Sequence, residues 1–328
     1  MKLEATMRAL ADQTRLRIMQ LLGTMELAVG ELAQVLGQSQ PRVSRHVAIL
    51  CDAGLAERRR EGSWVFLRSR LADADSGALG AAVARLLVAA EADDEEFERQ
   101  CTQDRRHLAA IRQAREAGAA DWFAANATSW DELRRLHTAD DAVEQALTEV
   151  LGRAPLGELL DIGTGTGRMA ELFGGSADHI VALDKSLEML RVARAKLQHL
   201  PPDRVELVQG DFLTLPFADA RFDTVLLHQV LHFTAEPERA LAEAARVLRT
   251  GGRIAIVDFA AHTHEELRER FQHVRLGFAD KQMRELLQQA GFTPARPVAL
   301  DGGELVVKVW LGTRITQSSP TPIKEPVR

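Results

Sequence analysis

Leu159-Leu160-Asp161-Ile162-Gly163-Thr164-Gly165-Thr166-Gly167-Arg168 is the stretch whose reading decides the fold. Two apolar residues lead into an acidic one, and three glycines follow at alternate positions. A buried strand ends near Ile162. The glycines then let the backbone turn tightly and come close to a ligand where a side chain would intrude. Met169-Ala170-Glu171-Leu172-Phe173 starts the helix that leaves the turn. Such a strand-to-helix turn holds a nucleotide-like ligand at the carboxyl end of a parallel sheet.

The spacing narrows the ligand. A dinucleotide fingerprint is G-x-G-x-x-G, and its third glycine would fall where Arg168 stands. The run here is D-x-G-x-G-x-G. It resembles motif I of class I S-adenosylmethionine (SAM) methyltransferases. That resemblance implies that Asp161 and the backbone of Gly163, Gly165 and Gly167 hold the amino-acid end of the ligand. Asp184 closes His179-Ile180-Val181-Ala182-Leu183-Asp184, 21 positions after Gly163. An acidic residue ending a second strand at that distance suits a ribose diol.

A chain of 328 residues is long enough for two domains at roughly 100–200 residues each. Hydrophobic content of 46 % is ample for a core, and no apolar run approaches the ~18–20 residues of a membrane helix. The amino terminus lacks the apolar core of a signal peptide, and two cysteines make no disulfide framework. A cytoplasmic protein without membrane contact is expected. With no tyrosine in the chain, no tyrosine base exists. Charge is uneven: residues 1–70 hold eleven Lys and Arg against seven Asp and Glu, and the rest holds thirty against forty. The basic front hints at an anionic partner, although many charge runs are only solvated faces.

Helical spacing predicts helices over 3–10 and 12–22, with Asp12 as a cap, then a short helix from Val29 to Leu36 stopped by Gly37. Ser39-Gln40-Pro41 opens the next, with a proline in its first turn. Val43, Val47 and Leu50 share its inner face, and Arg42, Ser44, Arg45 and His46 point elsewhere. Leu55 to Leu67 reads as a hairpin turning at Glu61-Gly62-Ser63. Together these make a winged helix-turn-helix. The cationic helix would take base edges in the major groove of double-stranded DNA through Gln40, Arg42, Ser44, Arg45 and His46. Arg58, Arg59 and Arg60 on the wing would meet phosphates. The bland alternative is a small helical domain with a solvated basic face. Residues 3–70 resemble the ArsR family of bacterial repressors. The metal-sensing members carry paired cysteines before the recognition helix. Here Glu26-Leu27-Ala28-Val29-Gly30-Glu31-Leu32 has no thiol, so no metal sensor is expected. Cys51 reads as a packing residue.

Residues 78–90 are apolar on most faces. From Ala92 to about Ala117 the pattern is charged and helical, with Phe97, Leu108 and Ile111 its apolar points. The ArsR resemblance implies that the flanking helices form a homodimer interface; a solvated spacer is compatible with that. Trp122-Phe123 and Asn126 to Asp131 resemble the lid helices of SAM methyltransferases, which close over a ligand. Trp130 serves as well as a core residue.

Strands are expected at 158–162, 179–183, 205–209, 223–228, 252–258, about 296–300 and 304–311, the first five alternating with helices. Family resemblance places Met189 on the adenine face, Asp211 on the adenine amino group and the Phe212 backbone at the ring. It also turns the strand ending at His228 toward the methyl donor. The succession Asp-Thr-Val-Leu-Leu-His, Arg-Val-Leu-Arg-Thr-Gly-Gly, Ile-Val-Asp-Phe resembles the small-molecule methylases that include quinone-ring methylases. Methyl transfer needs in-line positioning and sometimes a base, for which His228 and His232 are candidates. His262, His264 and His273 follow strand five; five histidines near one mouth invite a metal reading, against that of a polar rim.

The expected architecture is α/β: a winged helix-turn-helix over 1–75, a helical dimerisation or linker segment over 76–118, a Rossmann-like class I methyltransferase domain over 119–312 and a disordered tail over 313–328. The domain order is similar to that of ArsR-type regulators that answer to S-adenosylhomocysteine (SAH). A DNA-binding regulator with SAM or SAH as effector is the first expectation, and a working small-molecule methyltransferase is the second.

Overall fold

A computed structural model describes residues 2–61, 64–71, 77–131, 140–152, 154–201, 203–300 and 305–315. It divides into two compact units, Met1–Ala119 with Thr263–Glu265, and Ala120–His262 with Glu266–Arg328.

The first unit begins with α1 (Lys2–Leu10) and α2 (Gln13–Leu22). The Asp12 side chain caps α2 by accepting the Arg15 N–H at 3.0 Å. β1 (Leu27–Ala28), α3 (Val29–Leu36) and α4 (Gln40–Asp52) follow. Gly37 ends α3 at φ 62, the left-handed region glycine adopts without strain. β2 (Ala56–Glu61) and β3 (Trp64–Ser69) form the hairpin, and β1 adds a third strand, with Leu27 opposite Leu67. Two residues are too short for period-two patterning, so sequence reading missed β1.

α5 (Gly77–Asp93) and α6 (Glu95–Asn126) continue the chain. Along α6 Phe97, Cys101 and Leu108 are buried, and Ile111 packs beside them. One polar residue breaks that stripe. Asp104 is 2 % exposed and accepts two hydrogen bonds from the Arg17 guanidinium of α2, at 2.7 and 2.5 Å.

In the second unit α7 (Asp140–Leu151) precedes β4 (Glu158–Ile162), α8 (Arg168–Phe173), β5 (His179–Asp184), α9 (Leu187–Lys196), β6 (Val205–Gln209) and β7 (Phe222–His228). Then come α10 (Pro237–Val247), β8 (Leu248–Phe259), α11 (Glu266–Phe271), α12 (Asp280–Gln289), β9 (Phe292–Pro294), β10 (Val298–Leu300) and β11 (Val307–Arg314). The sheet order is β10-β11-β8-β7-β4-β5-β6, with β9 also on β11. β6, β5, β4, β7 and β8 run parallel, and β11 is antiparallel to β8.

Alternation within strands builds three layers. Leu159, Ile180, Leu226 and Val257 face one layer with Leu147 of α7 and Phe173 of α8. Leu160, Val181, Val225 and Ile256 face the other with Leu241 of α10 and Met283 of α12. The order reverses at β4, and ligands bind at the carboxyl ends beside such a switch point.

Some boundaries differ from expectation. α10 stops at Val247 because Leu248 turns extended and pairs with Phe222. Strand five therefore starts before Gly252, with a register irregularity between Phe222 and Thr224. The last strand reaches Arg314, past the expected domain end at 312. Most of the expected tail, 316–328, lies outside the described residues, as does the Gly62-Ser63 turn.

Asp104→Ala should destabilise the first unit by about 2 kcal/mol. That is less than the ~3–5 kcal/mol of a wholly buried pair, because the Arg17 side chain keeps 20 % exposure. Urea unfolding followed by circular dichroism measures it; an unchanged midpoint contradicts the assignment.

Candidate functional site

The glycine turn carries the first part of the site. Gly163, Gly165 and Gly167 have φ of 69, 54 and 83. The N–H groups of Gly163 and Thr164 both donate to the Leu183 carbonyl, at 2.8 and 2.9 Å, tying the end of β4 to the end of β5. A Cβ on Gly163 would lie 2.3 Å from Val230, and one on Gly167 2.9 Å from Leu197. Gly163 and Gly167 are therefore also required by packing against protein. At Gly165 the nearest atom to such a Cβ is Trp130 Nε1, at 3.4 Å.

Two carboxyl groups flank this turn. Asp161 is 1 % exposed, and its Oδ2 accepts the Thr164 hydroxyl at 2.6 Å. Its Oδ1 is buried without a hydrogen-bond partner. Burial pushes this carboxyl up to about 7; the Thr164 hydroxyl opposes the shift and the Asp184 charge adds to it. Asp184 Oδ2 accepts the Gly165 N–H and Oδ1 the Ser186 N–H, both at 2.8 Å. Burial raises its carboxyl too, against those backbone N–H groups. Ser186 caps α9 by accepting the Met189 N–H, and Met189 is buried.

After β6, Asp211 Oδ1 accepts the Leu213 N–H at 2.8 Å and Oδ2 the Lys185 ammonium at 3.0 Å. Phe212 is half-buried against the core. Trp130 belongs to an aromatic group: Phe123 stands 5.5 Å from it, 4.9 Å from Phe233 and 5.2 Å from Trp122, ring centre to ring centre. The adjacent Asp131 accepts the Thr166 hydroxyl at 2.7 Å and pairs with Lys196 at 2.6 Å. These two bonds tie the Trp130 segment to the glycine turn and to α9.

His228 ends β7, half-buried. His232 is not on an open rim: it is 2 % exposed, and its Nδ1 lies 2.8 Å from Oδ1 of Asp258, itself wholly buried. The His232 N–H donates to the other oxygen at 3.2 Å, and His273 stacks on the ring at 4.1 Å. Sequence reading missed Asp258 as a partner, although it stood in view at the carboxyl end of strand five. Among the described residues no three His, Cys, Asp or Glu side chains converge as metal ligands.

In the first unit α4 buries Val43, Val47 and Leu50 and exposes Gln40, Arg42 and Arg45, with Ser44 half-buried. His46 is half-buried, its Nδ1 3.5 Å from Asp12 Oδ1, so it leans on the α2 cap. Arg58 Nη2 donates to the Ser44 carbonyl at 3.4 Å. Arg59 and Arg60 pair through their backbones with Phe66 and Val65; their side chains lie outside the described residues. Cys51 packs against the core, and burial raises its thiol.

Known proteins match the two units separately. Residues 12–58 match the family described as bacterial regulatory protein, arsR family, and residues 160–256 match the methyltransferase domain family. A demethylmenaquinone methyltransferase of Renibacterium salmoninarum is 36 % identical over 117 residues, 36 % of this chain and 47 % of that protein. A malonyl-[acyl-carrier protein] O-methyltransferase of Methylococcus capsulatus is 32 % identical over 183 residues, 53 % of this chain and 65 % of that one. The chain thus spans about half the length of the first of these relatives and under two thirds of the second. The structure of a Burkholderia thailandensis 1,6-didemethyltoxoflavin-N1-methyltransferase, bound to its namesake and SAH, superposes with a TM-score of 0.50 at 23 % identity, covering 61 % of this chain and 89 % of that one. That likeness is one of fold.

The raised Asp161 has a sign that can be measured. A carboxyl whose folded pKa exceeds its ordinary value stabilises the fold fully below the ordinary value, and this is lost as pH rises through the folded one. Here the window runs from 3.8 to about 7. Wild-type stability should fall across it by up to about 1.4 kcal/mol per pH unit relative to Asp161→Asn. Equal urea midpoints for both proteins at every pH would remove the assignment.

Proposed function

For a chain that joins an ArsR-type helix-turn-helix to a class I methyltransferase fold, we propose a DNA-binding transcriptional regulator whose second unit binds SAM or SAH as effector. The observation that carries the ligand half is Asp161: a wholly buried carboxyl with one unsatisfied oxygen, set among glycines at the switch point. A buried acceptor of that kind suits the ammonium of an amino-acid moiety. Asp184, at the next strand end and half-buried, suits the ribose hydroxyls. Met189, Asp211 and Phe212 would bound the adenine, and His228 would face the sulfur. The residues fit the nucleoside, which when bound for transfer supplies an electrophilic methyl group.

DNA binding rests on the exposed Gln40, Arg42 and Arg45 of α4, with Ser44 and His46 on the same helix and Arg58, Arg59 and Arg60 on the wing. A homodimer would set two such helices about 34 Å apart, one duplex turn. Repression and a cytoplasmic setting belong to the same reading. No helix among the described residues is long and apolar enough to cross a membrane.

A second reading is methyl transfer to a small molecule, favoured by the buried His232–Asp258 pair. Asp258 would hold the Nδ1 proton and leave Nε2 as a proton acceptor. SAH accumulating from SAM in cell extract, with no ligand effect on DNA, would favour this reading.

Two substitutions test the regulator. Asp184→Ala should abolish the effect of SAM and SAH on DNA binding while leaving ligand-free DNA binding intact, because it strands two ligand hydroxyls in a buried site. Fluorescence anisotropy on a duplex selected from random DNA, titrated with each nucleoside, reads this. Loss of DNA binding by the variant alone would contradict the division of labour. Arg45→Ala should cost roughly 1–3 kcal/mol on the selected duplex and little on random DNA. An equal loss on both would make Arg45 a phosphate contact.

A further inference from the structure

The solvent face of α4 carries one residue that basic readers do not explain. Ile49 is 41 % exposed, although Val43, Val47 and Leu50 of the same helix are 0–1 % exposed. It follows Arg42, Arg45 and His46 at helical spacing, so all four share one face. They line an open concavity together with Ser39 and Pro41. The His46 Nδ1 lies 3.5 Å from Asp12 Oδ1. Ile49 is therefore an apolar member of a cationic face, one turn beyond Arg45.

The major groove offers one apolar group, the C5-methyl of thymine; every other feature of its base edges is a hydrogen-bond donor or acceptor. An isoleucine on the same exposed face as two arginines has nothing to gain from the polar edges and can bury that methyl. We infer that Ile49 is a specificity-determining residue that reads the thymine methyl. This rests on the DNA-binding reading above. Four residues of helix separate it from Arg45, about 6 Å of rise. With α4 along the groove, the thymine lies about two base steps, at roughly 3.4 Å each, from the pair contacted by Arg45. Sequence preference then has two parts on one helix face, a polar one from Arg45 and an apolar one from Ile49.

The test uses the full chain and a duplex selected from random DNA. Each thymine is replaced singly by uracil, which deletes only the methyl, and affinity is measured at one salt concentration for wild type, Ile49→Ala and Arg45→Ala. One position per half-site should weaken wild type about fourfold, the worth of one buried carbon. The same replacement should leave Ile49→Ala unchanged and still weaken Arg45→Ala. The salt slope of Ile49→Ala should equal that of wild type, because no phosphate contact is lost, and its melting temperature should hold because the residue is exposed. Wild type indifferent to uracil at every thymine overturns the inference. So does a uracil penalty that persists in Ile49→Ala, or an equal loss by that variant on selected and random duplex. Failure of the full chain to bind any duplex at low salt overturns the DNA-binding reading itself, a different result from indifference to uracil.

Discussion

The Leu183 carbonyl accepts two N–H groups from the glycine turn, and the second unit is arranged around that contact. It fixes the carboxyl end of β4 against β5 at the point where strand order reverses. The consequence is electrostatic. Burial raises the carboxyl groups of both Asp161 and Asp184, and the Asp184 charge adds to the shift at Asp161. Backbone N–H groups relieve Asp184. Asp161 has one hydroxyl, and Arg168, the nearest arginine in sequence, is occupied by Glu144 at 2.7 Å and Glu171 at 2.8 Å. A site with an unrelieved buried acceptor favours a ligand that brings its own cation.

The two nucleosides of the proposed effector pair differ by one methyl and one positive charge. A ligand moves an equilibrium only by its difference in affinity for the two states, and near-complete switching takes about 5.5 kcal/mol of difference. One methyl is too little for that, so the charge must count. In that reading the groups that would feel it are the carboxyl groups of Asp161 and Asp184.

In the first unit the dominant constraint is the Arg17–Asp104 pair. It joins α2 to α6 across 87 positions and interrupts an otherwise apolar stripe. A forked guanidinium on a carboxylate fixes angle as well as distance, which apolar contacts alone do not. α4 is then held from behind by Val43, Val47 and Leu50, leaving its cationic face open.

Much was legible in the chain because it is local. The glycine turn, Asp184 after it, the capping of α2 by Asp12 and the inward face of α4 all follow from period and punctuation over a few residues. The alternation of strands with helices made the parallel sheet readable too. Contacts that join distant positions were decided by tertiary structure. His232 meets Asp258 across 26 positions, and Thr166 meets Asp131 across 35, because neighbouring strand ends and a folded-back segment bring them together. Gly163 and Gly167 are legible in the sequence as a tight turn, and only the folded chain shows that Val230 and Leu197 also pack against them. Local pattern states which backbone conformation a residue adopts; only packing states which atom comes to lie against it.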